Sequence, residues 1–423
     1  MKRIVIIGGR LIDPAEGRDE IGDLWIDGGK VAEARGALAA NGATVIDARG
    51  KMVVPGLIDL HAHLREPGRE DKETIRTGAL AAIRGGFTTV CAMPNTNPPT
   101  DHRGVVDLIR QEAERVGLAR VWPIGAVTKG RQGKELTDFG EMFDAGCIAL
   151  SDDGSPVADS FLMRRALEYA RVFERPIIQH AEDSTLAAGG VMHEGVVSTT
   201  LGLRGMPAAA ESIMVARDLA LTELTGGWLH VAHLSSAASV ELIRHAKRRG
   251  VRVTCEVTPH HVALTHDAIG VFDTSAKVNP PLRTESDRQA LIEGLRDGTI
   301  DCIATDHAPH TEWEKDADFD AAPFGISGLE TALSICIETL IVPGLLSWHR
   351  LIETLTAAPA RIARLDSGTL AVGKDADIAI IDPTATWTVD PSRFVSKGRN
   401  TPFANRKLTG VVERVFRQGT EMR

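Results

Sequence analysis

The sequence predicts an α/β fold, a (β/α)8 (TIM) barrel with a small β-sandwich domain built from both chain ends. Three observations predict it. Eight β-rich runs occur between about residues 53 and 306, and most of them are followed by a helical pattern. Several of these runs end in polar residues that are capable of chemistry. The two ends of the chain share a different sequence pattern, in which short strands alternate with turns. Alternating strands and helices are typical of a parallel sheet, and eight such units of a barrel.

The barrel strands are predicted from runs rich in apolar and β-branched residues. They are 53–63, 87–94, 121–128, 147–153, 176–180, 228–233, 251–257 and 302–306. The intervening helices are predicted from amphipathic spacing, at 73–84, 105–116, 161–173, 211–224, 240–249 and 286–296. We assign residues 54–365 to the catalytic barrel.

The remaining residues, 1–53 and 366–423, are predicted to form one composite β domain. Asp13-Pro14 and Asp27-Gly28-Gly29 are turn signals near the start, and Gly368 and Gly373 punctuate the other end. Because the termini of a chain often lie close together, the two ends are expected to share one domain beside the barrel.

Composition excludes several classes of protein. The 423 residues are 43% hydrophobic and 25% charged, which is ordinary globular composition. The five cysteines are scattered without a CxxC pair, which indicates free thiols rather than disulfides or a zinc finger. The net charge of −9 carries no basic stripe, so nucleic acid is not expected as a partner. We see neither a signal peptide nor a membrane span, and we expect a cytoplasmic protein. An acidic protein with an anionic substrate would need arginines at its site.

Histidine and aspartate stand at the ends of five predicted strands. His61 and His63 are two residues apart, so both side chains point to the same face of a strand. Such a pair alone is a weak signal, but the ends of barrel strands converge on one mouth. The other strand ends carry Asp152 and Asp153, His180, His233, and Asp306 with His307 and His310. Imidazole and carboxylate ligands suit zinc and similar divalent ions, and six ligands favour two metals that share a bridge.

The motifs around these residues resemble the amidohydrolase superfamily and, within it, the type I dihydroorotases. The resemblance runs nearly from end to end of the chain. It rests on His63-Leu64-Arg65-Glu66-Pro67-Gly68, Met93-Pro94-Asn95-Thr96, Ser151-Asp152-Asp153-Gly154, Asn279-Pro280-Pro281-Leu282-Arg283, Asp306-His307-Ala308-Pro309-His310 and Lys397-Gly398-Arg399-Asn400-Thr401-Pro402-Phe403.

The resemblance implies a role for each site residue. Asp306 is implied to bind metal and to act as the general base. The remaining ligands are implied to be His61 and His63 on one metal, His180 and His233 on the other, and Asp153 as the bridge. The implied substrate contacts are Arg65 and Asn95 to a carboxylate, and Asn279, His310, Phe324 and Gly325 to the ring.

The same resemblance implies that the chain interconverts dihydroorotate and N-carbamoyl-aspartate in pyrimidine synthesis. Asp306 would take a proton from a metal-bridged hydroxide as it attacks and return it to the leaving nitrogen. The implied cofactor is one or two zinc ions per chain. We also expect a homodimer and an association with aspartate transcarbamoylase.

Three alternatives remain at this point. A hydantoinase or allantoinase would share the metals, but many of these enzymes, like other dihydroorotases, bridge them with a carboxylated lysine. Asp152 and Asp153 stand there instead, which resembles the aspartate-bridged bacterial subclass. The others are a non-catalytic scaffold that supports aspartate transcarbamoylase and a metal-storage or sensor protein. The polar segment from Thr311 to Phe324 is either a surface loop or a lid over the substrate.

Overall fold

The computed structural model describes residues 3–33 and 42–422. Residues 1–2, 34–41 and 423 of the predicted end domain lie outside the described residues. The strands are β1 (Ile4–Asp13), β2 (Arg18–Asp27), β3 (Lys30–Ala32), β4 (Thr44–Asp47), β5 (Met52–Pro55), β6 (Leu57–Ala62), β7 (Phe87–Ala92), β8 (Arg120–Pro123), β9 (Leu150–Ser151), β10 (Ile177–Gln179), β11 (Met192–His193), β12 (Gly205–Met206), β13 (Leu229–Val231), β14 (Val253–Val257), β15 (Cys302–Ile303), β16 (Ile378–Thr388), β17 (Lys407–Arg417) and β18 (Thr420–Met422).

Helices of very different length connect these strands. They are α1 (Ile75–Arg84), α2 (Arg103–Val116), α3 (Phe139–Ala145), α4 (Ser160–Val172), α5 (Val196–Leu201), α6 (Ala209–Thr225), α7 (Ala237–Arg248), α8 (Pro259–Ala263), α9 (Glu285–Asp297), α10 (Glu312–Lys315), α11 (Ala332–Cys336), α12 (Trp348–Leu355) and α13 (Ala357–Ala363). Short 3-10 turns and one π-helical turn (Ile337–Ile341) complete the described elements. All six predicted helices are present, with ends displaced by three residues at most.

Strands from both chain ends form one eight-stranded sheet. Its order is β18-β17-β16-β5-β1-β2-β3, and β4 pairs with β1. Its buried side chains, such as Ile6, Leu11, Val53 and Phe416, form a core separate from the main one. The sheet therefore joins the first and last segments of the chain, as their similar pattern of short strands and turns indicates.

The predicted strand 53–63 is wrong as a single element. Its first part belongs to β5, which pairs with β1 and β16, and its second part is β6, which pairs with β7. Gly56 separates them, and a Cβ atom there would lie 2.2 Å from Oγ1 of Thr88. Both strands are buried throughout, so the run resembles one apolar strand, although Pro55-Gly56 within it is a turn signal at the change of sheet.

The other predicted strands pair in parallel and in chain order. Strands β6-β7-β8 form one sheet and β9-β10-β13-β14-β15 another. A parallel bridge between Gly125 and Leu150 joins the two sheets, and one between Ala62 and His307 connects the eighth strand back to the first. The carboxyl ends of all eight strands thus lie on the same side of the fold.

Two further features bear on function. The five cysteines are all buried free thiols, which agrees with the absence of a disulfide framework. Among the described helices, none combines the length and the apolar character that crossing a membrane requires.

Candidate active site

The strand ends hold several key residues in an unusual backbone conformation. Arg65, His233 and Asp306 have φ angles of 62°, 32° and 46°, in the left-handed region that non-glycine residues rarely adopt. Each such residue costs about 1–3 kcal/mol and persists only where its surroundings fix it. These three lie at three different strand ends and face one cavity, which indicates a site built for function.

Asp153 lies between two pairs of histidines. Its Oδ2 is 3.4 Å from Nε2 of His61 and 3.5 Å from Nε2 of His63. Its Oδ1 is 3.4 Å from Nε2 of His233 and 3.8 Å from Nδ1 of His180. One carboxylate oxygen therefore faces each histidine pair, which is the arrangement that a bridging ligand needs.

Asp306 stands beside the first histidine pair. Its Oδ1 lies 2.9 Å from Nε2 of His63 and 3.5 Å from Nε2 of His61. Ligand atoms of His61, His63 and Asp306 lie within 4.8 Å of one another, and so do those of His61, Asp153 and His233. The structure thus brings together all six side chains that the sequence singles out as ligands.

The donor set fits a divalent metal. Nε2 of His61 and Oδ1 of Asp153 are fully buried, and neither has a hydrogen-bond partner among the described residues. Burying such groups unpaired is costly, and a cation placed between them would satisfy both. Histidine nitrogens and carboxylate oxygens are the ligands that zinc and related ions take.

The electrostatics of the cluster favour ionised carboxylates. Burial raises the pKa of Asp153, but the charge of His61 and the contact with His233 more than offset it and hold that pKa well below its usual range. Burial likewise opposes ionisation of Asp306, and His63 and His61 lower its pKa overall. Both side chains are therefore available as anionic ligands at neutral pH.

Asp152, the other aspartate of the pair, has a structural role. Its Oδ1 accepts hydrogen bonds from the backbone N–H groups of Val127 (2.8 Å) and Thr128 (3.0 Å), and its Oδ2 accepts one from the Thr128 hydroxyl. The side chain is thus used in fixing the loop that follows β8. Only Asp153 of the pair faces the histidines.

Buried carboxylates that the sequence reasoning missed support the ligands. Glu256 accepts a hydrogen bond of 2.7 Å from Nδ1 of His61 and lies 3.1 Å from Nε2 of His230. Asp59 accepts from the backbone and hydroxyl of Thr305, next to Asp306. Glu256 could have been found from the sequence, because it lies inside the buried strand β14 and a charged residue is rarely buried without a partner.

Glu256→Gln is expected to weaken metal binding by about 10- to 100-fold, the usual effect of losing a carboxylate that orients a histidine ligand. The amide cannot accept from both His61 and His230 as a carboxylate does. Chelator competition on purified protein measures the affinity, and Glu293→Gln, on the exposed face of α9, is the matched control. Unchanged affinity in Glu256→Gln would show that Glu256 does not orient His61.

One cavity is lined by the histidine cluster. Its volume is about 220 Å³, and every predicted site residue except the deeper His61 lines it. These residues are His63, Arg65, Asn95, Asp153, His180, His233, Asn279, Asp306, His310, Phe324 and Gly325. The cavity is large enough for one small ring and its substituents.

Arg65 supplies the arginine that an anionic substrate would need. Its Nε donates to the carbonyl of Pro309 at 3.3 Å, and this is the only hydrogen bond of the Arg65 side chain to the described residues. Burial lowers the pKa of Arg65 to about 10, so the guanidinium stays charged at neutral pH. The remaining N–H groups can therefore bind a carboxylate in the cavity.

The two asparagines of the cavity differ in their contacts. Oδ1 of Asn95 accepts a hydrogen bond of 2.8 Å from Nδ1 of His63, so Asn95 orients a ligand as well as lining the cavity. Nδ2 of Asn279 donates to Glu182 at 2.8 Å. Oδ1 of Asn279 is buried without a partner among the described residues.

His310, Phe324 and Gly325 also line the cavity. Nε2 of His310 donates to the Phe324 carbonyl at 2.9 Å. Burial and the charge of Arg65 lower the pKa of His310 to about 3, so it is neutral. Gly325 has a φ of 142°, and a Cβ atom there would lie 2.7 Å from the Ala308 carbonyl oxygen. Only glycine allows the backbone to pass so close.

Comparison with known proteins identifies the family. A model of the family described as dihydro-orotase-like matches residues 50–239. A dihydroorotase of Anaeromyxobacter sp. (strain K) is 56% identical over 410 residues, which cover 96% of this chain and 94% of that protein. A dihydroorotase of Pelotomaculum thermopropionicum is 54% identical, over 97% of this chain and 96% of the relative.

Solved structures give the same fold. An L-hydantoinase (dihydropyrimidinase) from Arthrobacter aurescens matches with a TM-score of 0.88 and 27% identity, covering 100% of this chain and 96% of that one. A D-hydantoinase at 23% identity, with a TM-score of 0.86, shows the fold alone. By its sequence relatives, this chain belongs to the dihydroorotase family.

Proposed function

We propose that this chain is a dihydroorotase, which interconverts (S)-dihydroorotate and N-carbamoyl-L-aspartate by reversible hydrolysis of a cyclic amide, as in the synthesis of UMP. The observation that carries the proposal is Arg65, a charged guanidinium in the same small cavity as the cluster of histidines and carboxylates. Dihydroorotate has a ring carboxylate for Arg65 to bind, whereas hydantoin has none. The names of relatives that align over nearly the whole chain support the same activity.

Metal would be bound on each side of Asp153. His61, His63 and Asp306 would hold it on one side, and His180 and His233 on the other. A divalent ion bound there supplies Lewis acidity, which polarises a carbonyl and makes water more acidic. We further propose zinc, at one or two ions per chain, on the chemistry of these donors.

The side chains of the cavity would carry out the remaining steps. Arg65 would bind the ring carboxylate with two parallel hydrogen bonds, and the amide of Asn95 would donate a further hydrogen bond to it. This fixes the scissile carbonyl and lowers the entropic part of the barrier. Oδ1 of Asp306 faces His63, so Oδ2 would take the proton of the attacking water and return it to the departing ring nitrogen.

A hydantoinase is the second candidate, because hydantoinases are among the similar solved structures. Two observations favour dihydroorotase. Asp153 occupies the place between the histidine pairs, and no lysine is among the described residues that line the cavity. The uncharged ring of hydantoin would also leave the guanidinium of Arg65 without an anionic partner.

Arg65→Ala is expected to lower kcat/KM for dihydroorotate by about 30- to 1000-fold, which corresponds to losing about 2–4 kcal/mol of charge-assisted hydrogen bonding. Arg65→Lys should restore only part of it, because a point charge cannot reproduce the planar fork. Kinetics and metal analysis of each variant check this, and the metal content should stay normal. If Arg65→Ala opened dihydroorotate as well as wild type does, the main reason for naming this substrate would be lost.

The finer features of the architecture are part of the proposal. We propose that the eight parallel strands close into a (β/α)8 barrel within residues 54–365, and that residues 1–53 and 366–423 form the β-sandwich domain. The bridge from Ala62 to His307 supports closure. A homodimer, an association with aspartate transcarbamoylase and a cytoplasmic location stay predictions from the sequence.

A further inference from the structure

The segment from Thr311 to Gly325 forms one wall of the cavity, and its end is tied to the site. Phe324 and Gly325 line the cavity, and the Phe324 carbonyl accepts a hydrogen bond from His310. The first residues form the short helix α10. The middle of the segment, residues 316–323, has no regular structure, so contacts from outside must hold it in place.

Lys315 makes the first set of contacts. Its side chain is buried, and Nζ lies within hydrogen-bond distance of three carbonyl oxygens, those of Thr274 (2.9 Å), Pro323 (2.8 Å) and Lys277 (3.4 Å). An ammonium group has three N–H donors, one for each of these acceptors. The Thr274 hydroxyl in turn donates to the Lys315 carbonyl at 2.6 Å. Lys315 thus ties both ends of the irregular stretch to residues 274–277.

Lys277 makes the second set. It is among the most deeply buried large side chains, and its Nζ donates to the carbonyls of Phe319 (2.6 Å) and Asp320 (3.1 Å). The same ammonium lies 4.7 Å from the ring centroid of Phe324 and 5.4 Å from that of Phe319. The Lys277 carbonyl accepts from the N–H of Gly325 at 2.9 Å. Lys277 therefore fixes the middle of the segment and the residue that lines the cavity.

Neither lysine forms an ion pair with a carboxylate of the described residues, so their partners are backbone carbonyls and aromatic rings. Burial lowers the pKa of both lysines. The pKa of Lys315 is lowered to about 7, and the nearby charge of Lys277 is a further cause of that shift. Burying an ammonium without a counter-ion is costly. The N–H donors of the two lysines are satisfied only when the segment lies against residues 274–277. The two lysines therefore specify this one conformation of the segment.

We propose that Lys277 and Lys315 are positioning residues, which hold the 311–325 segment closed over the cavity and so place Phe324 and Gly325 against the substrate ring. We call the contacts by which Lys277 and Lys315 hold this segment the clamp. Its role in catalysis rests on the proposed function, whereas the clamp itself depends only on these contacts.

The test compares Lys277→Met and Lys315→Met with Lys134→Met, an exposed lysine with no hydrogen bond or ion pair among the described residues. Methionine keeps the length of the side chain but removes the donors. Phe319 is buried in the closed segment, so chymotrypsin should cut after it slowly in wild type and in the control. Both clamp variants should be cut there at least about tenfold faster, as expected when a local contact no longer limits opening.

Kinetics gives the second readout. In both variants KM for dihydroorotate should rise about tenfold or more while kcat changes less, the pattern expected when binding contacts are lost and the reacting groups are untouched. Folded variants, judged by thermal melts, in which Phe319 stays as protected as in wild type would overturn the clamp. If wild type proved inactive on dihydroorotate and the variants still exposed Phe319, the clamp would stand and the proposed function would fall.

Hydrogen exchange on wild type covers the case in which a variant does not fold. The amide of Gly325, which donates to the Lys277 carbonyl, should exchange much more slowly than an amide without a hydrogen bond does. Rapid exchange of this amide in the wild-type protein would overturn the proposal without any substitution.

Discussion

Asp153→Ala is expected to impair metal binding on both sides of the site and, with it, activity. Each oxygen of this carboxylate faces one histidine pair, so its loss removes a candidate ligand from both and leaves Asp306, beside His61 and His63, as the remaining carboxylate of the six candidates. Metal analysis and dihydroorotate turnover on the same preparation measure the effect. A variant that keeps its metal and its activity would exclude Asp153 as the bridge.

Asp152→Ala is the matched control for Asp153→Ala. Its carboxylate binds Val127 and Thr128, so the expected loss is in stability, about 1–3 kcal/mol for each backbone donor left unsatisfied. Metal content and activity should suffer less than in Asp153→Ala. Activity should also be independent of bicarbonate during reconstitution, since an aspartate bridge needs no carboxylated lysine. The opposite order of damage would reverse the assignment within the pair.

Asp306→Asn is expected to lower kcat for dihydroorotate by about 100- to 10,000-fold, the range over which a positioned general base contributes. The amide keeps the size of the side chain but cannot take the proton of the attacking water. KM should change much less, because Arg65 and Asn95 are untouched. The measurement is kcat and KM beside metal content, since Asp306 also faces His61 and His63.

Asp306→Asn with normal metal content and nearly normal kcat would assign the proton transfer to another group. His310 is no substitute, because its pKa is lowered to about 3 and its Nε2 is engaged with the Phe324 carbonyl. Loss of metal together with activity would identify Asp306 as a ligand and leave its role as a base to be measured in metal-saturated protein.

The sequence could group the candidate metal ligands because each of them stands at the end of an apolar strand. The topology of parallel strands carries such ends to one mouth, so residues far apart in sequence, such as His61 and Asp306, could be grouped before any coordinates. The resemblance to dihydroorotases added the roles of Arg65, Asn95 and Asn279. The order of the parallel strands followed from the same alternation of strands and helices.

What the sequence missed depends on tertiary contacts. The break at Pro55-Gly56 carries a local turn signal, but the run is apolar on both sides, so the sequence does not show that the chain moves to another sheet there. The support of His61 by Glu256, and of the cavity wall by Lys277 and Lys315, depends on partners that are remote in the chain. Short helices such as α8 and α10 are too brief for periodicity to reveal them, because they are stabilised by their surroundings.

The most direct test of the proposed function is the turnover of dihydroorotate, hydantoin and allantoin by one preparation of purified protein. The preparation is assayed after chelation and again after zinc is added back. We expect dihydroorotate to be opened, N-carbamoyl-aspartate to be cyclised, and both rates to vanish on chelation and return with metal. Hydantoin and allantoin should react far more slowly, because neither offers Arg65 a ring carboxylate. Faster turnover of hydantoin or allantoin, or full activity in metal-free protein, would contradict the assignment of this chain as a metal-dependent dihydroorotase.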